Sequence, residues 1–262
     1  QAEYQILDRL SFMRFLGLSA GDRVPDAKTI WLFREQLKEA SLIESVFSRF
    51  DEHLSASGFS ARKGQIVDAS LISAPIQRNR REENACIKQG ETPVDWSENK
   101  LRQKDVDARW TKKNGKSYYG YKNHVSVDVE HKLIRAYAVS PANLHDSRVL
   151  GLLLDETNSS REVYADSAYN CADNLALLAD RNFRPKLQRK GCRNRKLTNW
   201  ERQGNRSRAR IRSRVEHVFG LQAMMAGTTI LRTIGLKRAT LKLALRNLAY
   251  NMIRYKTLVY SG

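Results

Sequence analysis

The hydrophobic period of the chain switches at Gly64, and a chain that passes from helical to strand spacing must build its main core around a sheet. Up to about residue 58, apolar residues recur every three or four positions: through 4–16, at Ile30, Phe33 and Leu37, and at Ile43, Val46, Phe47, Phe50 and Leu54. Asp26 after Pro25 predicts a cap for the second helix, and Ser41 with Glu44 predicts a capping box for the third, which Gly58 closes. Residues 65–72 are then short, β-branched and largely apolar, as a buried strand is, with Asp68 in the middle. Residues 121–129 alternate strictly, with Tyr121, Asn123, Val125, Val127 and Val129 on one face and Lys122, His124, Ser126 and Asp128 on the other. With 133–139 after a Glu130-His131-Lys132 turn, they predict an antiparallel hairpin. Further strands are expected at 162–166, ending on Asp166, and at 183–187, with helices at 147–154, 174–179, 207–219 and 239–258. The polar, aperiodic residues 77–118 read as an insertion or long loop. The order predicts an α/β fold: a mixed sheet flanked by helices over 59–262, closed by a helix at about 237–258, with an N-terminal helical subdomain over 1–58. Gln1 in place of Met leads us to expect that this subdomain is truncated.

Charge narrows the partner. The chain carries a net +18, and residues 184–214 hold 13 Lys or Arg against the single acid Glu201. So one-sided a run points to a polyanion, because each neutralised phosphate releases counterions and adds affinity. An acidic membrane surface is the competing polyanion. No stretch approaches the roughly 20 apolar residues of a spanning helix, and none resembles a signal peptide. Cys86, Cys171 and Cys192 lack the number and spacing of a disulfide framework or a zinc knuckle, so a reducing, cytoplasmic setting is expected.

Three carboxylates need a physical explanation. Asp68 interrupts an apolar strand, Asp166 ends another, and Glu216 sits beside Val215 and Val218 in overwhelmingly cationic surroundings. A buried carboxylate is stable only with a partner or a proton, and hard oxygen ligands suit Mg²⁺ or Mn²⁺. Two such ions about 3.5–4 Å apart assist phosphodiester displacement by stabilising both the attacking and the leaving oxygen. The bland alternatives are a strand-edge charge for Asp68, a loop cap for Asp166, and an ion pair of Glu216 with Arg212 four residues before it.

Several blocks, in order, resemble the DDE transposases of the insertion sequence 5 group, within the insertion sequence 4-like superfamily. They are Gly64-Gln65-Ile66-Val67-Asp68-Ala69-Ser70, Gly120-Tyr121-Lys122-Asn123-His124, Ala142-Asn143-Leu144-His145-Asp146-Ser147, Ala165-Asp166-Ser167-Ala168-Tyr169 and the run from Arg212 through Glu216 to Gly220. Two N-terminal blocks, 12–18 and 25–34, accompany them. The resemblance implies a ribonuclease-H-like catalytic domain in which Asp68, Asp166 and Glu216 are the catalytic, metal-binding residues for two Mg²⁺ or Mn²⁺ ions. It also implies an enzyme that cuts double-stranded DNA at terminal inverted repeats, transfers the strand to target DNA, and works as a homodimer. The family's Y-x2-R-x3-E-x6-K signature is matched at Arg212 and Glu216, but Ala209 and Ala223 stand at its Tyr and Lys positions. Arg208 or Arg214 is expected to take over a phosphate contact.

The DNA contacts expected overall are Lys122, His124, Arg189, Lys190, Arg193, Arg195, Lys196, Arg206, Arg208, Arg210, Arg212 and Arg214. For Lys122 and His124 a merely solvated strand face is an equal alternative. Trp31, Trp96, Trp110 and Trp200 are expected to pack, with base stacking by Trp110 as the second choice. A DNA-binding protein without catalysis and a ribonuclease-H-fold nuclease without strand transfer fit the same residues.

Overall fold

The computed structural model describes residues 2–227 and 230–260. The chain divides into two compact units, 1–44 and 45–262. The first holds α1 (Ala2–Asp8), α2 (Leu10–Phe15) and α3 (Ala27–Glu39). Asp26 caps α3 as expected, accepting the Thr29 N–H at 2.7 Å. The Ser41–Glu44 box does not form. Ser41 adopts a left-handed φ of 50°, its N–H bonds to Lys38 O, and the Leu42 N–H bonds to Leu37 O. That is a Schellman ending, so Ser41 closes α3 instead of opening the next helix.

The remaining elements are α4 (Ile43–Ala56), β1 (Gln65–Ser73), α5 (Arg81–Lys88), α6 (Glu98–Gln103), β2 (Arg109–Lys113), β3 (Lys116–Asp128), β4 (Ile134–Pro141), α7 (Leu150–Leu153), β5 (Glu162–Ala165), α8 (Ala172–Asp180), β6 (Arg184–Leu187), α9 (Asn199–Arg212), α10 (Arg214–Ala226) and α11 (Leu236–Tyr260). The sheet runs β2-β3-β1-β5-β6, and β4 also pairs with β3. β1, β3 and β4 are antiparallel neighbours, whereas β5 and β6 run parallel to β1. A six-stranded mixed sheet of this order, flanked by helices, is the expected ribonuclease-H-like arrangement.

Strand alternation sends side chains to two separate cores. Ile66, Val125 and Val127 meet Val215 and Val218 of α10 and Leu248 and Tyr250 of α11. α4, expected within the N-terminal subdomain 1–58, adds Phe47 to this core. On the other face Val67, Val163 and Ala165 meet Leu150 and Leu153 of α7 and Leu178 of α8. Asn251 of α11 fastens the sheet by bonding both the N–H and the C=O of Ile134, at 2.9 and 2.8 Å.

Residues 77–118 are more ordered than expected. Glu83 accepts from the Trp96 indole at 2.7 Å and from Lys100 at 2.6 Å, tying α5 to α6. Asn114 and Gly115, both at positive φ, join β2 to β3 by a tight turn. An Asn-Gly pair between strands is the usual mark of such a hairpin, and here a charged context hides it. At Gly120, whose φ is 150°, β3 pairs with Arg109 of β2 on one edge and with Ser73 of β1 on the other. A Cβ there would lie 2.2 Å from Ile72 O, so only glycine lets the strands come this close.

Candidate active site

Asp68 lies mid-β1 opposite Val125, and therefore on the sheet face that α10 and α11 cover. Parallel pairing sets Gln65 beside Val163 and Ile66 beside Tyr164; continued two residues further, the register sets Asp68 beside Asp166. Burial raises the Asp68 carboxyl above the ordinary carboxylate range against the pull of Arg212 and of the Ala69 N–H, and the nearby Asp166 charge adds to the rise. Asp166 caps the short 3₁₀ turn Ser167–Tyr169, accepting the Ala168 N–H at 2.8 Å. Arg212 Nη1 donates to Asp68 Oδ2 at 2.6 Å, and its buried Nε has no partner among the described residues. The cation thus pairs with Asp68 across 144 positions of sequence and not with Glu216.

Glu216 is exposed in the first turn of α10. Among the described residues, no group of three or more His, Cys, Asp or Glu side chains is placed to hold a metal ion. The sheet register thus sets Asp68 beside Asp166, while Glu216 stands exposed on α10. The two aspartates do fit a hard cation: both donors are carboxylate oxygens, and the Asp166 charge adds to the cost of ionising Asp68.

α9 sorts the basic run into two faces. Arg202, Arg206 and Arg210 recur every four residues on the exposed side. Glu201, Asn205, Arg208 and Arg212 form the inner line. Glu201 is only 4% exposed, and it completes a capping box with Thr198, a signal within the basic run that also extends the expected helix back from 207 to 199. Its carboxylate takes Arg189 at 3.0 Å and Arg195 at 2.7 Å. The Thr198 N–H first, then Arg189 and Arg195, hold its pKa below the usual carboxylate range. Asn205 clamps the main chain of Arg189 through its N–H at 2.9 Å and its C=O at 2.8 Å. The lone acid of the run thus organises the basic loop; Lys190, Arg193, Arg195 and Lys196 stand exposed on it.

Three further expected DNA contacts are engaged inside the protein. The Arg214 guanidinium donates to Val129 O at 2.7 Å, fastening α10 to the end of β3. Lys122 is held by Leu144 O and Asp146, both at 2.7 Å. His124 is fully buried and bonds Ser140 Oγ at 2.8 Å, so in this fold it cannot touch a duplex. Both lie on the sheet face opposite Asp68, because alternation from Val125 puts them there. The expectation that all four tryptophans pack holds only for Trp96: Trp31 and Trp110 are half exposed, and Trp200 is 69% exposed.

Burial lowers the His124 pKa to about 4, and its Nδ1 has no partner among the described residues. A folded pKa below the unfolded value of about 6.5 means that only the unfolded state takes up the proton in between. Stability is therefore full above about 6.5 and falls as pH drops towards 4, by about 3 kcal/mol. Urea unfolding at stepped pH is expected to show this loss, and His124→Asn to flatten it. An equal acid loss in the variant would show that His124 is not its source.

The order of the six-stranded mixed sheet and the helices that flank it are consistent with a ribonuclease-H-like fold. The chain belongs to the transposase DDE domain family, whose model matches residues 59–252, and residues 1–36 match a second model described as a transposase domain. It is similar to the transposase for insertion sequence element IS1106 of Neisseria meningitidis serogroup B, at 31% identity over 194 residues. That match covers 72% of this chain and spans 64% of the relative's length. No solved structure matches the chain.

Proposed function

We propose that the chain is a transposase of the insertion sequence 5 group that cuts DNA at the terminal inverted repeats of its element and joins the freed end to target DNA. The observation that carries this reading is the pairing of Asp68 with Asp166 on the sheet face reached by α9, whose outer side is lined with arginines. Cleavage forms a bond from a water oxygen to phosphorus and breaks the bond from phosphorus to the 3′ oxygen, leaving a 3′-OH. In strand transfer that 3′ oxygen forms a bond to a phosphorus of the target, whose bond to its own 3′ oxygen breaks and leaves a 3′-OH on the target strand. Asp68 and Asp166, with Glu216 as the third carboxylate, would hold the divalent ions, two Mg²⁺ or Mn²⁺. Such ions supply neutralisation of phosphate charge and a lowered pKa for bound water.

The chain's own side chains do the rest. Arg202, Arg206 and Arg210, with the loop cations that Glu201 fixes, grip the phosphates. Arg212 holds the Asp68 carboxylate in place. The N-terminal helices, which we assign to DNA binding or dimerisation, would bring two element ends together in a homodimer. None of the described helices is long and apolar enough to cross a membrane; we place the protein in the cytoplasm, on the nucleoid.

A duplex carrying the repeats that flank the coding sequence, incubated with Mg²⁺ and a target plasmid, is expected to yield a cut at the repeat end and a joined product. Asp166→Asn is expected to lose both. Cutting without joining would identify a nuclease; binding without cutting would identify a DNA-binding protein.

A further inference from the structure

Beyond the strand ends of β5 and β6 lies a cavity of about 370 Å³ whose lining mixes two chemistries. Arg189, Arg195 and Arg208 supply positive charge, while Pro185, Leu187 and Leu197 supply an apolar wall. Its place is fixed by the ladder. The Gln188 N–H bonds to Ala165 O at 3.1 Å, so the chain leaves the sheet at Arg189 just where Asp166 leaves β5. The hollow therefore opens at the same strand ends as the second aspartate, as ligand sites in open α/β sheets do.

Trp200 stands in the first turn of α9, next to the cavity residue Glu201, with its indole 69% exposed. The Arg189 guanidinium lies 5.6 Å from its ring centroid. An indole this exposed contributes little to the core. A bare aromatic face beside a positively charged hollow is the surface on which unpaired bases stack. A duplex keeps its base faces stacked inside, so it offers Trp200 none to stack on. A hollow of this size is too small for a rod and large enough for one nucleotide.

We propose that this cavity seats an unpaired nucleotide of the bound DNA strand, with the base against the apolar wall and Trp200 and the phosphates on Arg189, Arg195 and Arg208. The assignment rests on the transposase reading, because it takes the strand to be one that passes the aspartates.

The test is fluorescence anisotropy with two labelled probes at one salt concentration: a blunt duplex, and the same duplex with a short oligo-dT overhang. The wild-type protein is expected to bind the overhang probe at least about fivefold more tightly. Trp200→Ala is expected to bring the ratio of the two affinities close to one. Arg202→Ala, on the outer face of α9, is expected to weaken both probes alike and keep the ratio. A wild-type ratio of one, or a ratio that survives Trp200→Ala, overturns the nucleotide seat and leaves the transposase reading standing. Failure to bind either probe overturns that reading instead.

Discussion

Asp68→Asn is expected to lower DNA cleavage by on the order of 10³-fold or more while DNA binding stays within about twofold of wild type. The variant keeps the shape of the side chain and its bond to the Ala69 N–H, and removes only the charge. Arg212 then loses its ion partner; because the pair is partly exposed, the expected loss of stability is only about 1–2 kcal/mol. Circular dichroism melts check that the fold survives, so that lost cleavage is read as lost chemistry. The same pair predicts a pH dependence. Asp68 must be ionised to hold a cation, and burial has raised its pKa, so cleavage falls as pH drops through a value above the ordinary carboxylate range. Arg212 is the strongest influence pulling that value down. Arg212→Gln should therefore move the acid limb to higher pH, in the cleavage profile or in a ¹³C titration of the Asp68 carboxyl. A shift to lower pH would show that Arg212 does not act on Asp68 in solution.

The strands that carry the aspartates were legible because each is a short apolar run, and in such a run a carboxylate stands out. What their surroundings do was less legible. The alternation over 121–129 separates the two faces correctly, yet the polar set is not wet. His124, Ser126 and Asp128 are all buried: α7 packs against β3 and β4 on that face, and the β3–β4 turn with Arg135 closes over Asp128. The polar atoms of Ser126 and Asp128 are met inside: Ser126 by Gln65 at 2.9 Å, and Asp128 by the Leu133 N–H at 3.0 Å and by Arg135. Alternation reports periodicity, and only the neighbouring layer decides whether the second face meets water. Ser41 shows a related limit, since a residue that can open one helix can equally close the one before it. The contact of Arg212 with Asp68 joins a helix to a strand, and no local pattern encodes such a pairing. The neighbouring Glu216, one turn further on, invites the wrong partner.

The largest effect on binding should come from three arginines that the sequence does not distinguish from ten other cations. With Arg202, Arg206 and Arg210 all changed to Ala, duplex affinity at about 0.15 M salt is expected to fall by on the order of 10²-fold. The slope of log affinity against log salt should become shallower by about 2.7, since each phosphate that is no longer neutralised returns about 0.9. The reason is the division of α9: these side chains face outward, whereas Arg208 turns to the cavity and Arg212 to Asp68. Arg214→Ala serves as the contrast, because its guanidinium is already bound to Val129 O and should change the melting temperature but leave the salt slope nearly intact. Run charge alone predicts equal slopes for any cations removed from 184–214. An unchanged slope in the triple variant would mean that DNA lies along some other surface, and that the exposed face of α9 is solvated charge.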